Sequence, residues 1–305
     1  MEIARPVIVR EVWAHNLEKE FALIRVALPG CRIAAIDTEF PGHIFKSQVD
    51  GHLIAHLPPA ETYELMKSNI DALEIIQVGL ALSDSCGRLP PHFGTPFSYV
   101  WQFNFQDFDI ETNAYNEESI NLLKSQGIDF SKNREMGISS RDFVRQLFLS
   151  GLIGGGRPIS WVTFHGSYDF GFMIKMLTRQ PLPTHMLDFL RLLKRFFGFC
   201  IYDVKHMIKS CDGLYGGLER VAKSLNVDRI AGKSHQAGSD SLLTLQTFFK
   251  LIGSRKPFTD NTEGMALFRF CSVLFGLEAP MQWRCSGLLF GSHLHWDNFH
   301  ARHLC

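Results

Sequence analysis

Cys31-Arg-Ile-Ala-Ala-Ile-Asp-Thr-Glu-Phe-Pro-Gly42 climbs through apolar residues and then sets down two carboxylates, Asp37 and Glu39. The apolar part reads as a buried strand over about 31–38. Side chains at i and i+2 share one face of a strand, so Asp37 and Glu39 aim together at the point where the chain leaves the core. Two like charges held so close resist ionisation unless a cation sits between them, and a hard divalent ion with oxygen ligands resolves the conflict. The D-x-E pattern recurs as Asp109-Ile-Glu111 in the polar run 106–118, where it reads as solvated loop. A chain of this length holds about one such pattern by chance. The first copy differs because it closes an apolar strand, and a charged pair there needs partners.

The surrounding chain alternates strand and helix signals. From Asn16, a candidate N-cap, Leu17, Phe21, Ile24 and Leu28 recur at helical spacing until Pro29-Gly30 stops them. A helix over about 59–71 leads to a buried strand at 74–82 that ends in a Ser-Asp-Ser-Cys-Gly turn, and 98–105 reads as another strand. Strands at 31–38, 74–82 and 98–105 with short connections predict an antiparallel meander. Helices follow at about 116–126 and 139–150, each with a glycine after it, Gly127 and Gly151. Next come a strand from Ile159 to His165, a helix at 168–178, a helix at 184–197 with Thr184 as candidate N-cap, and a short strand from Phe199 to Asp203. Helices near 204–210, 216–225, 237–252 and 260–277 complete the pattern. The order predicts an α/β fold with one mixed central sheet, its first three strands antiparallel, flanked by helices. Residues 1–278 are expected to form a single domain, with 279–305 a C-terminal tail of uncertain order.

Composition narrows the function. Lys plus Arg and Asp plus Glu stand at 31 each, so no global basic field draws a polyanion to the surface, and a nucleic-acid partner has to be held locally. Seven cysteines, at 31, 86, 200, 211, 271, 285 and 305, are scattered without a CxxC pair. With a start that lacks a long apolar run, they predict a reducing intracellular setting, nucleus or cytoplasm, and no membrane. In the tail, Cys285, His293, His295, His300, His303 and Cys305 match no standard zinc spacing.

Partners for Asp37 and Glu39 come from two later stretches. Trp161-Val-Thr-Phe-His-Gly-Ser-Tyr-Asp-Phe170 puts Asp169 where a strand gives way to a helix, a place for a cleft-facing carboxylate and equally for an ordinary cap. His235-Gln-Ala-Gly-Ser-Asp-Ser-Leu-Leu-Thr244 joins a histidine in a loop to Asp240 in the first turn of a helix. Capping explains Ser239 or Asp240 but gives His235 no task. Four carboxylates near one point balance about two divalent cations, which can clamp the attacking and leaving oxygens of an in-line phosphoryl displacement. An imidazole is the side chain suited to take the proton from the attacking water. The reaction class is phosphodiester hydrolysis.

These residues resemble the motifs of the DEDD exonucleases of the histidine subtype, whose fold is ribonuclease H-like. Within them the chain is similar to the Caf/Pop-type deadenylases, catalytic subunits of the Ccr-Not complex. The likeness runs through Val12–Leu17, Ile36–Gly42, Ile75–Leu80, Trp101–Phe105, Tyr168–Gly171, Ile201–Lys205, Gly216–Leu218 and His235–Thr244, in family order over about 10–278. It implies that Asp37, Glu39 and Asp240 hold one metal ion, that Asp37 and Asp169 hold the other, and that His235 is the base, with Glu39 helping to orient the water. The ions implied are Mg2+ or Mn2+, other divalent ions also being usable. The activity implied is 3′-to-5′ removal of the poly(A) tail of mRNA with release of adenosine monophosphate. The partners implied are the Not scaffold subunit and a leucine-rich-repeat nuclease subunit. A non-catalytic adaptor of the same complex and a DEDD exonuclease of broader range are the competing readings.

One departure from the family stands inside the motifs: Gly166-Ser167 replaces the usual Ser-Gly and is expected to alter the turn that presents Asp169. Lys205 and Lys209 are candidates for phosphate contact or for a solvated face. Asp188 and Asp203 are left out of the site, Asp203 as a helix cap.

Overall fold

The computed structural model describes residues 5–46, 57–91, 95–154, 159–255, 258 and 267–278. Six strands form one mixed sheet: β1 (Val7–Val12), β2 (Ile33–Glu39), β3 (Gln77–Ser83), β4 (Ser98–Asn104), β5 (Ser160–Thr163) and β6 (Ile201–Asp203). Their order is β1-β4-β3-β2-β5-β6. The predicted meander is present, since β2 pairs β3 and β3 pairs β4 in antiparallel fashion. It is not the start of the sheet, however. β1 precedes it and runs parallel to β4, while β5 and β6 extend the other edge in parallel.

β1 escapes sequence reading because Arg10 and Glu11 interrupt its apolar run. Tertiary contacts accommodate the charge: Arg10 donates twice to Glu20, at 2.6 Å each, and Trp101 Nε1 donates to Glu20 at 3.2 Å. Buried Glu20 thereby gains the partners a desolvated carboxylate needs. It lies on α1 (Leu17–Ala27). Asn16 stands at the head of α1 as predicted, but its Oδ1 accepts from the Trp13 N–H at 2.7 Å instead of capping the helix.

The strand alternation sorts the core into two layers. Ala34 and Ile36 face an apolar cluster with α1, α2 (Pro59–Ala72), α5 (Ser140–Ser150), α6 (Ser167–Thr178) and α7 (Met186–Phe197). Ile33 and Ala35 face the opposite cluster, built on α8 (Val204–Met207), α9 (Leu218–Ser224) and α10 (Ala237–Ser254). Between these in sequence lie α3 (Glu117–Ser125) and α4 (Phe130–Met136), whose Ile120, Leu123 and Phe130 cover Ile76 and Phe108. Each fully buried Leu, Ile or Phe in such a layer contributes roughly 1.5–3 kcal/mol.

Other elements depart from expectation. α4 was not foreseen, being seven residues with polar Ser131 to Glu135 between its apolar ends. The helix near 204–210 is α8 followed by a 3₁₀ turn, Ile208–Ser210. α7 starts after His185, so Thr184 is not its cap. Of the helix expected over 260–277, residues 267–278 form a 3₁₀ turn, Phe268–Phe270, and an irregular segment in which Ser272 N–H donates to the Ile201 carbonyl. That sheet-edge contact claims the backbone a helix would use. The rest of that prediction and the whole 279–305 tail, with its cysteines and histidines, lie outside the described residues. Among the described residues no helix is long and apolar enough to cross a membrane.

Candidate active site

Asp37 and Glu39 continue the face of Ile33 and Ala35, which α10 covers. α10 reaches β2 closely because β3 offers no side chain in between. Gly79 is the register partner of Asp37, and a Cβ there would stand 1.8 Å from the Ala237 carbonyl oxygen. Two buried amides fix the helix start: the Ala237 N–H donates to Gln77 Oε1 at 3.3 Å and the Gly238 N–H to Gln102 Oε1 at 3.2 Å. Gln77 is held in turn by its own bond to Asn104 at 2.8 Å. Orphan N–H groups at a helix start are thus satisfied by strand side chains, and Asp240 is set down beside the end of β2.

Asp37, Glu39 and Asp240 bring one oxygen each to within 4.8 Å of one another. Among the described residues, the side chains of Asp37 and Glu39 accept no hydrogen bond. Burial pushes Asp37 well above the usual carboxylate range, and the charges of Asp169, Asp240 and Glu39 add to it. Burial likewise raises Glu39 strongly, with Asp240 and Asp169 contributing. An all-carboxylate oxygen set with unspent lone pairs and excess negative charge fits a hard divalent cation. A groove of about 880 Å³ lined by Leu23, Val26, Tyr99 and Ile230 opens at the other end of the sheet and holds no such cluster.

Asp169 approaches from the opposite layer. It lies in the first turn of α6 and accepts from Thr38 Oγ1 at 2.6 Å and Thr163 Oγ1 at 2.8 Å. It therefore does not act as an ordinary cap. Burial pushes it up to about 7, against the pull of the two threonine hydroxyls. The turn before it is pinned by Asp203, fully buried, whose carboxylate accepts from the N–H groups of His165, Gly166, Lys205 and Phe275. Asp203 caps α8 as predicted, and the same carboxylate also holds the Asp169 turn, which sequence reading missed.

The order Gly166-Ser167 has a local reason. A Cβ at 166 would lie 2.1 Å from Thr163 Cγ2, so glycine leaves room for the threonine that holds Asp169.

His235 sits in the loop before α10 with φ +56°; its side chain is exposed and its backbone N–H donates to Asp240 Oδ2 at 2.9 Å. Arg229, which nothing in the sequence singled out, donates to Asp240 Oδ1 at 2.5 Å. Burial raises Asp240, and Arg229 opposes that rise. Beside Glu39, Phe40 stacks on Tyr168 with centroids 5.2 Å apart, and His43 meets Tyr168 edge-on at 4.6 Å.

The remaining candidates sit elsewhere. Asp109 and Glu111 are in a loop, paired with Arg134. Asp188 pairs with Arg191 on α7. Lys209 is bonded to Glu278 at 2.6 Å, and Lys205 donates to the Gly216 carbonyl.

Comparison with known proteins gives the family and the fold. Residues 12–141 match the family described as CAF1 family ribonuclease. The chain is 45% identical over 271 residues to Probable CCR4-associated factor 1 homolog 10 of Arabidopsis thaliana, covering 89% of this chain and 92% of that protein. It is 40% identical over 275 residues to the poly(A) ribonuclease pop2 of Schizosaccharomyces pombe, covering 88% and 75%. Among solved structures, S. pombe Pop2p in its Mg2+- and Mn2+-bound form aligns with TM-score 0.76 at 36% identity, over 89% of this chain and all of that one. Yeast CAF1 co-crystallised with the NOT1 MIF4G domain aligns with TM-score 0.68 at 32% identity, over 87% and 96%. The mixed sheet and its flanking helices are accordingly a ribonuclease H-like fold.

Proposed function

The chain belongs to the CAF1 family of ribonucleases, and on that premise we propose that it is a poly(A)-specific 3′-to-5′ exoribonuclease that shortens mRNA tails and releases 5′-AMP. The observation that carries the proposal is the convergence of Asp37, Glu39 and Asp240 within 4.8 Å, with Asp169 close enough to be the leading charge on Asp37.

In this reading Asp37, Glu39 and Asp240 hold one divalent cation, and Asp37 and Asp169 hold a second. Mg2+ and Mn2+ are the ions bound by the S. pombe relative. When bound, such a pair supplies positive charge to the attacking and leaving oxygens of the phosphodiester. The chain's own residues do the rest. Thr38 and Thr163 fix both oxygens of Asp169, so that it meets the site in one orientation. Glu39 orients the attacking water and His235, exposed in the loop before α10, removes its proton. Adenines stack at the cleft and are recognised as RNA by contacts to the 2′-hydroxyl. A net charge of zero suits a grip on a few terminal nucleotides, with a shallow dependence on salt.

The NOT1 co-crystal of the yeast relative supports docking to a Not scaffold. A leucine-rich-repeat nuclease subunit, and work in both nucleus and cytoplasm, complete the proposal. Residues 1–278 act as one catalytic domain in it.

The test is a time course on 5′-labelled RNA with a non-A body and an A20 tail, using the purified chain and Asp37→Ala with Mg2+, Mn2+ or chelator. A metal-dependent ladder that stops at the body and disappears in the variant is expected. Equal attack on mixed-sequence RNA or single-stranded DNA would indicate a broader exonuclease. A folded chain that shortens nothing under any metal would favour an adaptor.

A further inference from the structure

Arg229 ties together three elements that the proposed reaction needs in register. Its Nε donates to Glu219 Oε1 on α9 at 2.8 Å. Nη1 donates to the Lys233 carbonyl at 3.2 Å and to Ser239 Oγ. Nη2 donates to Asp240 Oδ1 at 2.5 Å. The Arg229 side chain is 14% exposed, and its planar fork spends donors in three directions at once.

The loop from Arg229 to Ser239 is thereby closed on itself. Gly232, at φ +71°, packs so tightly that a Cβ would stand 2.6 Å from Ser239 Cβ. His235, near the loop's end, is bonded through its N–H to Asp240 Oδ2. Arg229 and His235 therefore take one oxygen of Asp240 each, and rotation of that carboxylate about its own axis would break both bonds. Each oxygen keeps a second lone pair for a cation.

We propose that Arg229 is a positioning residue, which holds Asp240 toward Asp37 and Glu39 and, through the closed loop, sets where His235 stands. The inference rests on the metal-site reading above. A bare positive charge at this place would repel a bound cation, whereas an orienting fork assembles the ligand set that binds it. The two roles move metal affinity in opposite directions.

Mn2+ titration of the full chain separates them, followed by melting temperature and by electron paramagnetic resonance of free Mn2+. Removing a partner that orients a ligand typically weakens metal binding by about 10–100-fold. Arg229→Gln is therefore expected to raise the Mn2+ midpoint about tenfold. Arg229→Lys keeps the charge without the fork and should share the loss. Glu219→Gln, on a half-exposed residue outside the cluster, loosens the outer anchor and should raise the midpoint about threefold, a fraction of the loss from the direct partner. On A20 RNA, kcat should fall in the same order while KM is kept. Glu219→Gln decides the matter if the Arg229 variants fail to fold. Variants that keep the parent midpoint overturn the positioning role alone, and a lowered midpoint shows that Arg229 only repels the metal and overturns it too. A parent chain with no Mn2+ response overturns the metal site itself and this role with it.

Discussion

Replacing Gly79 by alanine adds one methyl group 40 residues in sequence from the nearest proposed ligand, Glu39, yet it should disable the site. In the β2–β3 register Gly79 lies opposite Asp37. The new Cβ would stand 1.8 Å from the Ala237 oxygen, 2.1 Å from its carbonyl carbon and 2.7 Å from the Gly238 nitrogen. All three are backbone atoms and cannot rotate away. The start of α10 has to retreat by about 1.2 Å to bring the first contact to 3.0 Å, the closest that real Cβ atoms come. That retreat strains the bonds to Gln77 and Gln102 and draws Asp240 off the other two carboxylates. Overpacking of this kind costs roughly 1–3 kcal/mol of stability, and a misplacement of about 1 Å in a catalytic group can cost about 100-fold in rate. The assay is kcat on A20 RNA with saturating Mn2+, beside a circular dichroism melt. Gly253→Ala is the control: it lies in α10 with nothing within 4 Å of the added Cβ, so activity should hold and stability rise by up to about 0.5–1 kcal/mol. A folded Gly79→Ala chain within threefold of the parent rate would refute the close approach of α10 as what builds the site.

Three further outcomes are expected. Asp203→Asn offers one acceptor oxygen where two now serve four backbone N–H groups, so it should lose about 3 kcal/mol or more; a melting temperature within a degree or two of the parent would contradict that hub. Gly166→Ala would set a Cβ 2.1 Å from Thr163 Cγ2 and 2.4 Å from its Oγ1, the hydroxyl that holds Asp169, so activity should fall about 10-fold or more; a folded variant with the parent rate would count against the packing argument. Because burial pushes Asp169 up to about 7, it holds its proton more tightly folded than unfolded. Its contribution is full below about pH 4 and is lost as pH rises through about 7, worth on the order of a few kcal/mol. The melting temperature in chelator should therefore fall from about pH 5 to about pH 8, with Mn2+ restoring more at the higher pH; a rise in chelator over that range would refute the sign.

Much was legible in the sequence because it is written in local patterns. The apolar run Ile33 to Ile36 marks the strand and the i, i+2 spacing of Asp37 and Glu39 gives their shared face, and helices with caps or terminal glycines, such as α3 and α5, fall within a residue or two of prediction. Asp169 and Asp240 are legible as candidates because strand-to-helix turns and first helical turns are recognisable places for cleft-facing charge. What escaped depends on contacts between residues far apart in the chain. β1 needs Glu20 and the edge of β4 to exist as a strand. Arg229 is one arginine among many until α9 and α10 close around it. Asp203 declares its cap by position, but its hold on residues 165, 166 and 275 appears only when those segments meet. The sequence alone determined which side chains carry charge and which face of each element they share, since those follow from backbone periodicity. Only the tertiary structure decided their separations, because the 1.8 Å margin at Gly79 and the amide bonds of Gln77 and Gln102 are set by packing two elements about 160 residues apart.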